Sequence, residues 1–197
     1  MAEAESGAHF EAGAEAGVRA SAGAVGAAAS GAIDALPLSG SRALVVTCST
    51  RAATGAYPDR GGPLIADWLR QRGSAVKGPL VVPDGPDVGA AIAGGVAAAY
   101  DLIVTTGGTG CSPTDVTPEQ TKPLLDKEIA GIAEAIRAAG VAAGVPTAML
   151  SRGLAGLAGR TVVVNLPGST GGVRDALGVL DGVLAHLLSQ VRGGDHG

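Results

Sequence analysis

The stretch DLIVTTGGTGCSPTDVTPEQ, from Asp101 to Gln120, joins an apolar run, a glycine-rich loop and a helix start. Its first six residues, Asp101–Thr106, form the most strongly apolar run of this kind in the chain and predict a buried β-strand. Thr117 as N-cap, with a proline next and Gln120 three residues beyond the cap, predicts a helix that runs to about Ala139. A strand, a glycine-rich turn and a helix in this order indicate an α/β fold.

The same alternation of strand and helix extends in both directions from this stretch. The other predicted strands are Arg42–Cys48, Lys77–Pro83 and the first part of Arg160–Ser169, and the other predicted helices are Pro63–Gly73, Val88–Tyr100 and Gly172 to about Val191. Short strands separated by helices need crossover connections, which make the strands parallel and place helices on both faces. The predicted fold is therefore α/β, with three layers (α/β/α) around a mostly parallel sheet.

Composition limits the partners that the chain can have. Its 197 residues carry a net charge of −4, which argues against a nucleic-acid-binding surface. Two cysteines are too few for a disulfide framework, so a reducing cytoplasm is predicted. No signal peptide and no membrane span are predicted.

The domain organisation follows from a change in composition near residue 40. Residues 1–40 are mostly Ala, Gly, Glu and Ser, with hardly any large apolar side chain, and predict a flexible tail. Residues 41–192 are predicted to form one domain, followed by a short tail, 193–197.

Four predicted loops follow the carboxyl ends of strands, which share one edge of a parallel sheet. They are Ser49–Gly62, Pro83–Asp87, Gly107–Thr117 (the glycine loop) and Leu166–Gly172. Ligands of open α/β sheets bind at this edge, so we expect the site there. Gly107–Gly110 can turn backbone N–H groups toward an anion, and Asn165–Ser169 can do so beside a helix start. Each segment taken alone is equally consistent with a tight turn.

Three aspartates, Asp59, Asp84 and Asp115, lie in three different loops of this set. Our hypothesis is that Asp84 and Asp115 hold Mg²⁺, because magnesium takes one or two carboxylates while phosphates and water complete its shell. A dication would also reconcile Asp115 with a phosphate bound beside it. The alternatives are that Asp84 starts the following helix and that Asp115 is a turn residue.

Arginine and cysteine give weaker signals. Arg152 is a candidate phosphate contact, with an ordinary solvated surface residue as the alternative. Cys111, inside the glycine loop, has no histidine nearby in sequence to activate it as a nucleophile. Cys48 ends an apolar strand, which predicts buried packing.

The motifs TTGGTG…DVTPE and NLPGS together resemble those of the molybdenum-cofactor biosynthesis proteins of the Mog/MoaB type, which are related to the G domain of gephyrin. The resemblance covers roughly Arg42–Gln190 and includes Ser151–Gly153 and the Pro83-Asp84 pair. One departure is visible, since members of this family usually have Ser-Asp where this chain has Ser49-Thr50.

The resemblance implies the Mog/MoaB (molybdopterin-binding) fold and an enzyme that uses Mg²⁺ and ATP to adenylylate the terminal phosphate of molybdopterin. It implies a homotrimer, with a hexamer as the alternative, and a molybdenum-insertion protein as a partner. The two functionally important aspartates of the family fall on Asp84 and Asp115, which become the predicted catalytic and metal-binding residues. The predicted substrate-binding residues are Ser49, Asp59, Thr106, Gly107, Gly108, Thr109, Gly110, Thr117, Glu119, Ser151, Arg152, Asn165, Pro167, Gly168 and Ser169.

Two other functions stay open on the same fold. One is a molybdopterin-binding carrier or scaffold that adenylylates nothing. The other is a nucleotide pyrophosphatase, because the same fold also occurs fused in competence-damage-type proteins.

Overall fold

The structure is a computed structural model that describes residues 37–194, and its centre is a six-stranded sheet. The strands are β1 (Arg42–Cys48), β2 (Ala75–Val82), β3 (Leu102–Thr106), β4 (Lys127–Glu128), β5 (Ala155–Ala158) and β6 (Thr161–Leu166). Their order across the sheet is β2-β1-β3-β6-β5-β4. The pairs β1–β2, β1–β3 and β3–β6 are parallel, while β5 runs antiparallel to both β6 and β4.

Helices cover both faces of this sheet. They are α1 (Thr50–Ala53), α2 (Gly61–Gln71), α3 (Pro86–Ala97), α4 (Thr117–Thr121), α5 (Ala130–Ala142), α6 (Thr170–Asp181) and α7 (Leu184–Val191), with short 3₁₀ turns at Lys122–Leu124 and Pro146–Leu150. Alternating strand residues divide between two cores, because successive side chains point to opposite faces. Val45 and Val104 join α2, α5, α6 and α7 in one core, whereas Val46 and Ile103 pack against α3 in the other. The predicted three-layer α/β/α fold is confirmed.

The prediction of a single helix from Thr117 to about Ala139 is wrong. The chain forms only α4, then a 3₁₀ turn, the short strand β4 and a separate helix α5. Pro123 has no N–H to donate to the carbonyl four residues earlier, so the first helix cannot continue through it. The predicted capping box is also absent, because the helix begins at Thr117 and its N-cap, Val116, makes no side-chain cap.

Two smaller differences concern the last helix and the edge of the sheet. The helix predicted from Gly172 to about Val191 is two helices, α6 and α7, that meet around Gly182. Strands β4 and β5 were not predicted, because two residues and the small side chains of AGLA carry no recognisable strand pattern.

The predicted tails lie almost wholly outside the described residues. The exceptions are residues 193–194 and residues 37–40, where Leu38 is buried in the core and its N–H donates to Arg72 O at the end of α2. None of the helices within residues 37–194 is long and apolar enough to cross a membrane.

Candidate active site

Residues from all four predicted loops line one cavity of about 730 Å³, which we call the first cavity. A second cavity of about 640 Å³ lies beside it and is lined by the glycine loop, the loop after β6, and residues of α5, α6 and the second 3₁₀ turn. Four residues line both cavities and form what we call the ridge: Gly108, Asp115, Gly168 and Ser169. Two ligands bound in these cavities would therefore meet at the ridge.

Most of the predicted site residues line one of these cavities. In addition to the ridge residues, the first cavity is lined by Ser49, Asp59, Asp84, Thr106 and Gly107. In addition to the ridge residues, the second cavity is lined by the predicted site residues Thr109, Gly110, Ser151 and Pro167. Thr117, Glu119, Arg152 and Asn165 line neither of the two cavities.

Backbone and hydroxyl contacts hold the two glycine-containing loops together beneath the ridge. Gly107 N donates to Leu166 O at 3.2 Å, and Thr106 Oγ1 donates to Pro167 O at 2.7 Å. A Cβ on Gly168 would lie 3.3 Å from the Cα of Gly107, so the two loops are almost in backbone contact. This packing leaves little freedom for the ridge to move.

Asp84 is half-buried, and Thr50 holds one of its carboxylate oxygens. The backbone N–H and the Oγ1 of Thr50 both donate to Asp84 Oδ2 at 2.9 Å. Asp84 N in turn donates to Thr50 Oγ1 at 3.1 Å, which closes a reciprocal pair. Oδ1 has no partner among residues 37–194 and stays available to a ligand. Asp84 does not cap α3, whose N-cap is Gly85.

Asp115 is fixed by a tight turn within the glycine loop. Ser112 N donates to Asp115 Oδ2 at 3.0 Å, and Asp115 N donates to Ser112 O at 2.9 Å. The turn predicted as an alternative reading is therefore present. Its other carboxylate oxygen has no partner within the described part of the chain, so the turn does not exclude a role in binding.

Arg152 faces the glycine loop and acts as its brace. Its Nε donates to Gly110 O at 2.7 Å, Nη2 donates to Asp115 O, and Nη1 pairs with Glu119. Its backbone N–H donates to Thr109 O at 2.8 Å. The hydrogen bond from Arg152 holds the pKa of the Glu119 carboxyl below its usual value. These contacts place Arg152 and Glu119 behind the loop, in a position to shape it.

Asn165 and Thr117 are buried behind the ridge as well. Asn165 accepts from Leu154 N at 3.2 Å through Oδ1 and donates at 3.0 Å to Thr105 and Thr121 through Nδ2. Its amide thus ties β6 to β3 and α4. Thr117 Oγ1 is fully buried and has no nitrogen or oxygen partner in the described residues, and its polar neighbour is the Cys48 thiol.

Asp59 and Ser49 shape the far side of the first cavity. Asp59 Oδ1 accepts from Gly61 N and Gly62 N, the first two N–H groups of α2, at 3.1 and 3.0 Å, while Oδ2 accepts from Thr47 Oγ1 at 2.7 Å. Ser49 Oγ accepts from Ala52 N at 3.2 Å and caps α1. Both side chains line the cavity while holding the loop that contains them.

The sequence analysis missed two cations in the first cavity. Arg51 and Arg60 lie 5.2 and 5.7 Å from the ring centre of Tyr57, and all three residues line the cavity. Tyr57 is 48% exposed, so its ring is accessible from the cavity. The signal was available, because both arginines lie in a loop already predicted to border the site.

Asp115 in the ridge and Asp84 beside it form a donor set that fits a hard cation such as Mg²⁺. Asp84 and Asp115 line the same cavity, and each has one carboxylate oxygen that no described residue engages. Magnesium favours this arrangement, with few protein carboxylates and room for water and phosphate oxygens. Gly108, which has no side chain, leaves open the space next to Asp84 Oδ1. No cluster of three or more His, Cys, Asp or Glu able to hold a metal occurs in residues 37–194.

Backbone amides at the ridge are free to bind an anion. The N–H groups of Gly108, Thr109, Gly168 and Ser169 donate to nothing within the described residues. Ser169 also caps α6, which begins at Thr170, so the positive end of the helix dipole lies at the same place. Free amides and a helix start together favour a phosphate group here.

The two cysteines differ in exposure. Cys48 is buried as predicted, and this burial raises the pKa of its thiol to about 12. Cys111 is exposed, and its Sγ lies 3.6 Å from Leu150 O.

Comparison with known proteins assigns the family. Residues 44–186 match a family model described as the probable molybdopterin binding domain. The matched span is well over half of the 197 residues, and the chain belongs to this family. The predicted resemblance to the Mog/MoaB proteins is confirmed.

Individual relatives agree with this assignment. The chain is 39% identical over 161 residues to a molybdenum cofactor biosynthesis bifunctional protein from Synechococcus elongatus, a match that covers 81% of this chain and 50% of that protein. The chain thus spans about half the length of that relative. It is also 36% identical over 152 residues to a molybdopterin adenylyltransferase from Pyrococcus furiosus, covering 75% of this chain and 89% of the relative.

A solved structure of a relative has the same fold. The molybdopterin biosynthesis Mog protein from Mycobacterium ulcerans superimposes with a TM-score of 0.72 at 55% identity, covering 77% of this chain and 99% of that one. Because identity and coverage are both high, the chain shares the Mog/MoaB fold.

Proposed function

We propose that this member of the family transfers AMP from Mg-ATP to the terminal phosphate of molybdopterin, giving adenylyl-molybdopterin and pyrophosphate. The observation that carries the proposal is the ridge, because its four residues line two cavities at once. A reaction that joins two ligands needs both held side by side with the reacting atoms in contact. The relative named molybdopterin adenylyltransferase supports the same reaction.

The first cavity is the proposed nucleotide site. Arg51 and Arg60 supply positive charge for a triphosphate, and the exposed ring of Tyr57 offers a flat surface for a base. Asp84 lines this cavity and not the second, so a metal ion held by Asp84 would lie beside a triphosphate bound here. The second cavity is then left for the pterin.

In the proposed reaction an oxygen of the pterin phosphate forms a bond to the α-phosphorus of ATP. The bond from that phosphorus to the oxygen bridging to the β-phosphate breaks, and pyrophosphate leaves with the electron pair. A phosphate monoester is already an anionic nucleophile, so no strong base is needed. Positioning and charge stabilisation carry such transfers.

The ridge and two residues beside it, Thr109 and Asp84, have roles in this scheme. The free N–H groups of Gly108, Thr109, Gly168 and Ser169 would hold the pterin phosphate in line with the α-phosphorus. Asp84 and Asp115 would hold Mg²⁺, which when bound neutralises the charge of the triphosphate.

The direct test incubates the purified chain with molybdopterin and Mg-ATP and measures adenylylated pterin by liquid chromatography with mass detection. We expect Asp84→Asn and Asp115→Asn to lower turnover roughly 100-fold or more, because removing a metal ligand forfeits several kcal/mol of charge stabilisation. Asp87→Asn is the matched control, since Asp87 is an exposed carboxylate in the first turn of α3 and lines neither cavity. Wild-type turnover by both the Asp84→Asn and the Asp115→Asn variant would contradict the roles given to these residues.

Two outcomes of the same assay correspond to the alternatives on this fold. Tight pterin binding with no consumption of ATP would indicate a carrier. Hydrolysis of a nucleotide in the absence of pterin would indicate a pyrophosphatase. The ridge shared by two cavities favours transfer, because neither a carrier nor a pyrophosphatase needs a second ligand at that place.

Assembly and partners extend the proposal. We propose a homotrimer, with a hexamer as the alternative, and a molybdenum-insertion protein that receives the adenylylated pterin. Exposed apolar side chains around the second 3₁₀ turn (Val141, Val145, Met149 and Leu150) are consistent with an assembling chain. Consumption of ATP fits the predicted cytoplasmic location. Native mass spectrometry separates trimer from hexamer.

A further inference from the structure

The second cavity contains a carboxylate without a partner, that of Asp175. This residue lies in the second turn of α6, is half-buried, and lines the second cavity. Among the residues that the structure describes, none donates a hydrogen bond to it or pairs with it. The other carboxylate of the same helix, Asp181, pairs with Arg72 at 2.6 Å. A carboxylate left unpaired inside a cavity is available to a ligand.

The surroundings of Asp175 suit a flat ring with one polar edge. Gly171 and Gly172 lie one turn earlier on the same face of α6, line the same cavity, and have no side chain that would cover the carboxylate. Val145 and Leu150 line this cavity too and are 48% and 56% exposed without a ligand. Apolar walls with a few convergent polar groups are typical of sites for small ring systems.

The chemistry of a carboxylate limits which ring it can recognise. An ionised carboxylate only accepts hydrogen bonds, and it can accept two in parallel. The pyrimidine edge of a pterin carries N3–H beside the 2-amino group, and so presents two donors side by side. The corresponding edge of adenine presents one donor, the 6-amino group, beside one acceptor, N1. Adenine would therefore place a lone pair against the carboxylate, which is unfavourable in a partly buried site.

We propose that Asp175 binds the N3–H and 2-amino donors of the pterin ring and thereby reserves the second cavity for the pterin. This inference rests on the proposed function, and it names Asp175 as the residue that distinguishes the pterin ring from the adenine ring of ATP. The ridge residues Gly168 and Ser169 border the same cavity, so a pterin held by Asp175 would direct its phosphate toward the free amides there. Guanine has the same pair of donors, which makes a guanine nucleotide the natural competitor.

The experiment compares two stable probes that differ at one position of the ring. These are 6-hydroxymethylpterin phosphate and the corresponding lumazine phosphate, in which oxygen replaces the 2-amino group. Binding is followed by titration calorimetry, with Mg-ATP titrated separately. We expect the wild-type chain to bind the pterin roughly 10- to 100-fold more tightly, because the lumazine sets a carbonyl oxygen against the carboxylate and loses a charged hydrogen bond.

Two variants test whether Asp175 causes the preference for the pterin over the lumazine. Asp175→Asn is expected to bind the two probes with affinities within about threefold of each other, because a carboxamide can serve either a donor or an acceptor. Its affinity for Mg-ATP is expected to match the wild type. Glu134→Gln is the matched control, since Glu134 is an exposed carboxylate of α5 that lines neither cavity, and it is expected to keep the full preference.

The outcomes separate this inference from the function on which it rests. If Asp175→Asn keeps the preference for pterin, or if the wild type binds both probes equally while AMP transfer proceeds, the role of Asp175 is overturned and the proposed function stands. Tighter binding of GTP than of the pterin phosphate in this cavity also overturns it. If the wild type binds neither probe and forms no adenylylated pterin, the proposed function fails and the inference fails with it.

Discussion

Gly108 lies at the centre of the ridge, and replacing it with alanine tests how tightly the ridge is built. Its φ of +61° is in the left-handed region, where an alanine costs about 1–2 kcal/mol. An added Cβ would also overlap Thr117 Oγ1 and lie 3.0 Å from Asp84 Oδ1. Thr117 is fully buried and cannot move aside, so overpacking adds about 1–3 kcal/mol. We expect Gly108→Ala to lower the free energy of unfolding by about 2–5 kcal/mol in total.

Gly55→Ala is the matched control for this variant. Gly55 has a φ of +73°, close to that of Gly108, but an added Cβ would meet nothing within 4 Å. Its cost is therefore the conformational part alone, about 1–2 kcal/mol. Urea unfolding at one fixed protein concentration measures both losses. Equal losses in the two variants would refute the argument that Thr117 and Asp84 crowd Gly108.

Three further predictions test the contacts around the ridge. Thr117→Val removes a fully buried hydroxyl whose polar neighbour among the described residues is the weakly bonding Cys48 thiol, so we expect the free energy of unfolding to change by less than about 1 kcal/mol. Thr121→Val removes a hydroxyl that bonds Thr117 O and Asn165, and is expected to lower the free energy of unfolding by about 1–3 kcal/mol. A larger loss in Thr117→Val than in Thr121→Val on urea unfolding would contradict this. The pKa of the Cys48 thiol is about 12 in the folded chain and about 9 when the thiol is exposed, so the folded state loses stability as the pH rises from about 9 to about 12. We expect the free energy of unfolding to be about 1.4 kcal/mol lower at pH 10 than at neutral pH, and we expect Cys48→Ala to lack this loss. Equal pH dependence of the two proteins would contradict this reasoning. Arg152→Lys keeps the positive charge, but a lysine side chain cannot reach Gly110 O, Asp115 O and Glu119 together. We therefore expect the rate of AMP transfer to fall about 10-fold or more. A wild-type rate would show that these three contacts are not needed.

The sequence predicted the parts of the fold that carry a strong local pattern. Arg42–Cys48 and the run ending at Thr106 are continuous apolar segments, and both are strands with almost the predicted bounds. The edge strands β4 and β5 were missed because their pairing depends on the position of β6, not on their own residues. The break after α4 was not predicted, because the capping pattern at Thr117 favours a long helix and Pro123 is the residue that ends it.

The candidate site was predictable where its residues act locally. Glycine content and strand ends located the loops that line the cavities, and Asp84 and Asp115 both line the first cavity. Arg152 illustrates what sequence alone cannot show, because its three side-chain partners are 33 to 42 residues away in the chain. Asp175 gave no signal either, since a single aspartate in an amphipathic helix is ordinarily a solvated surface residue.

The central claim is that two ligands meet at the ridge and that AMP passes from one to the other. The most direct measurement supplies the chain and Mg²⁺ with molybdopterin and ATP that carries ³²P at either the α- or the γ-phosphate, and follows where the label goes. The account predicts that the α label enters the pterin product, while the γ label appears only in pyrophosphate. Release of the α label as free AMP without pterin, or entry of the γ label into the pterin, would contradict it.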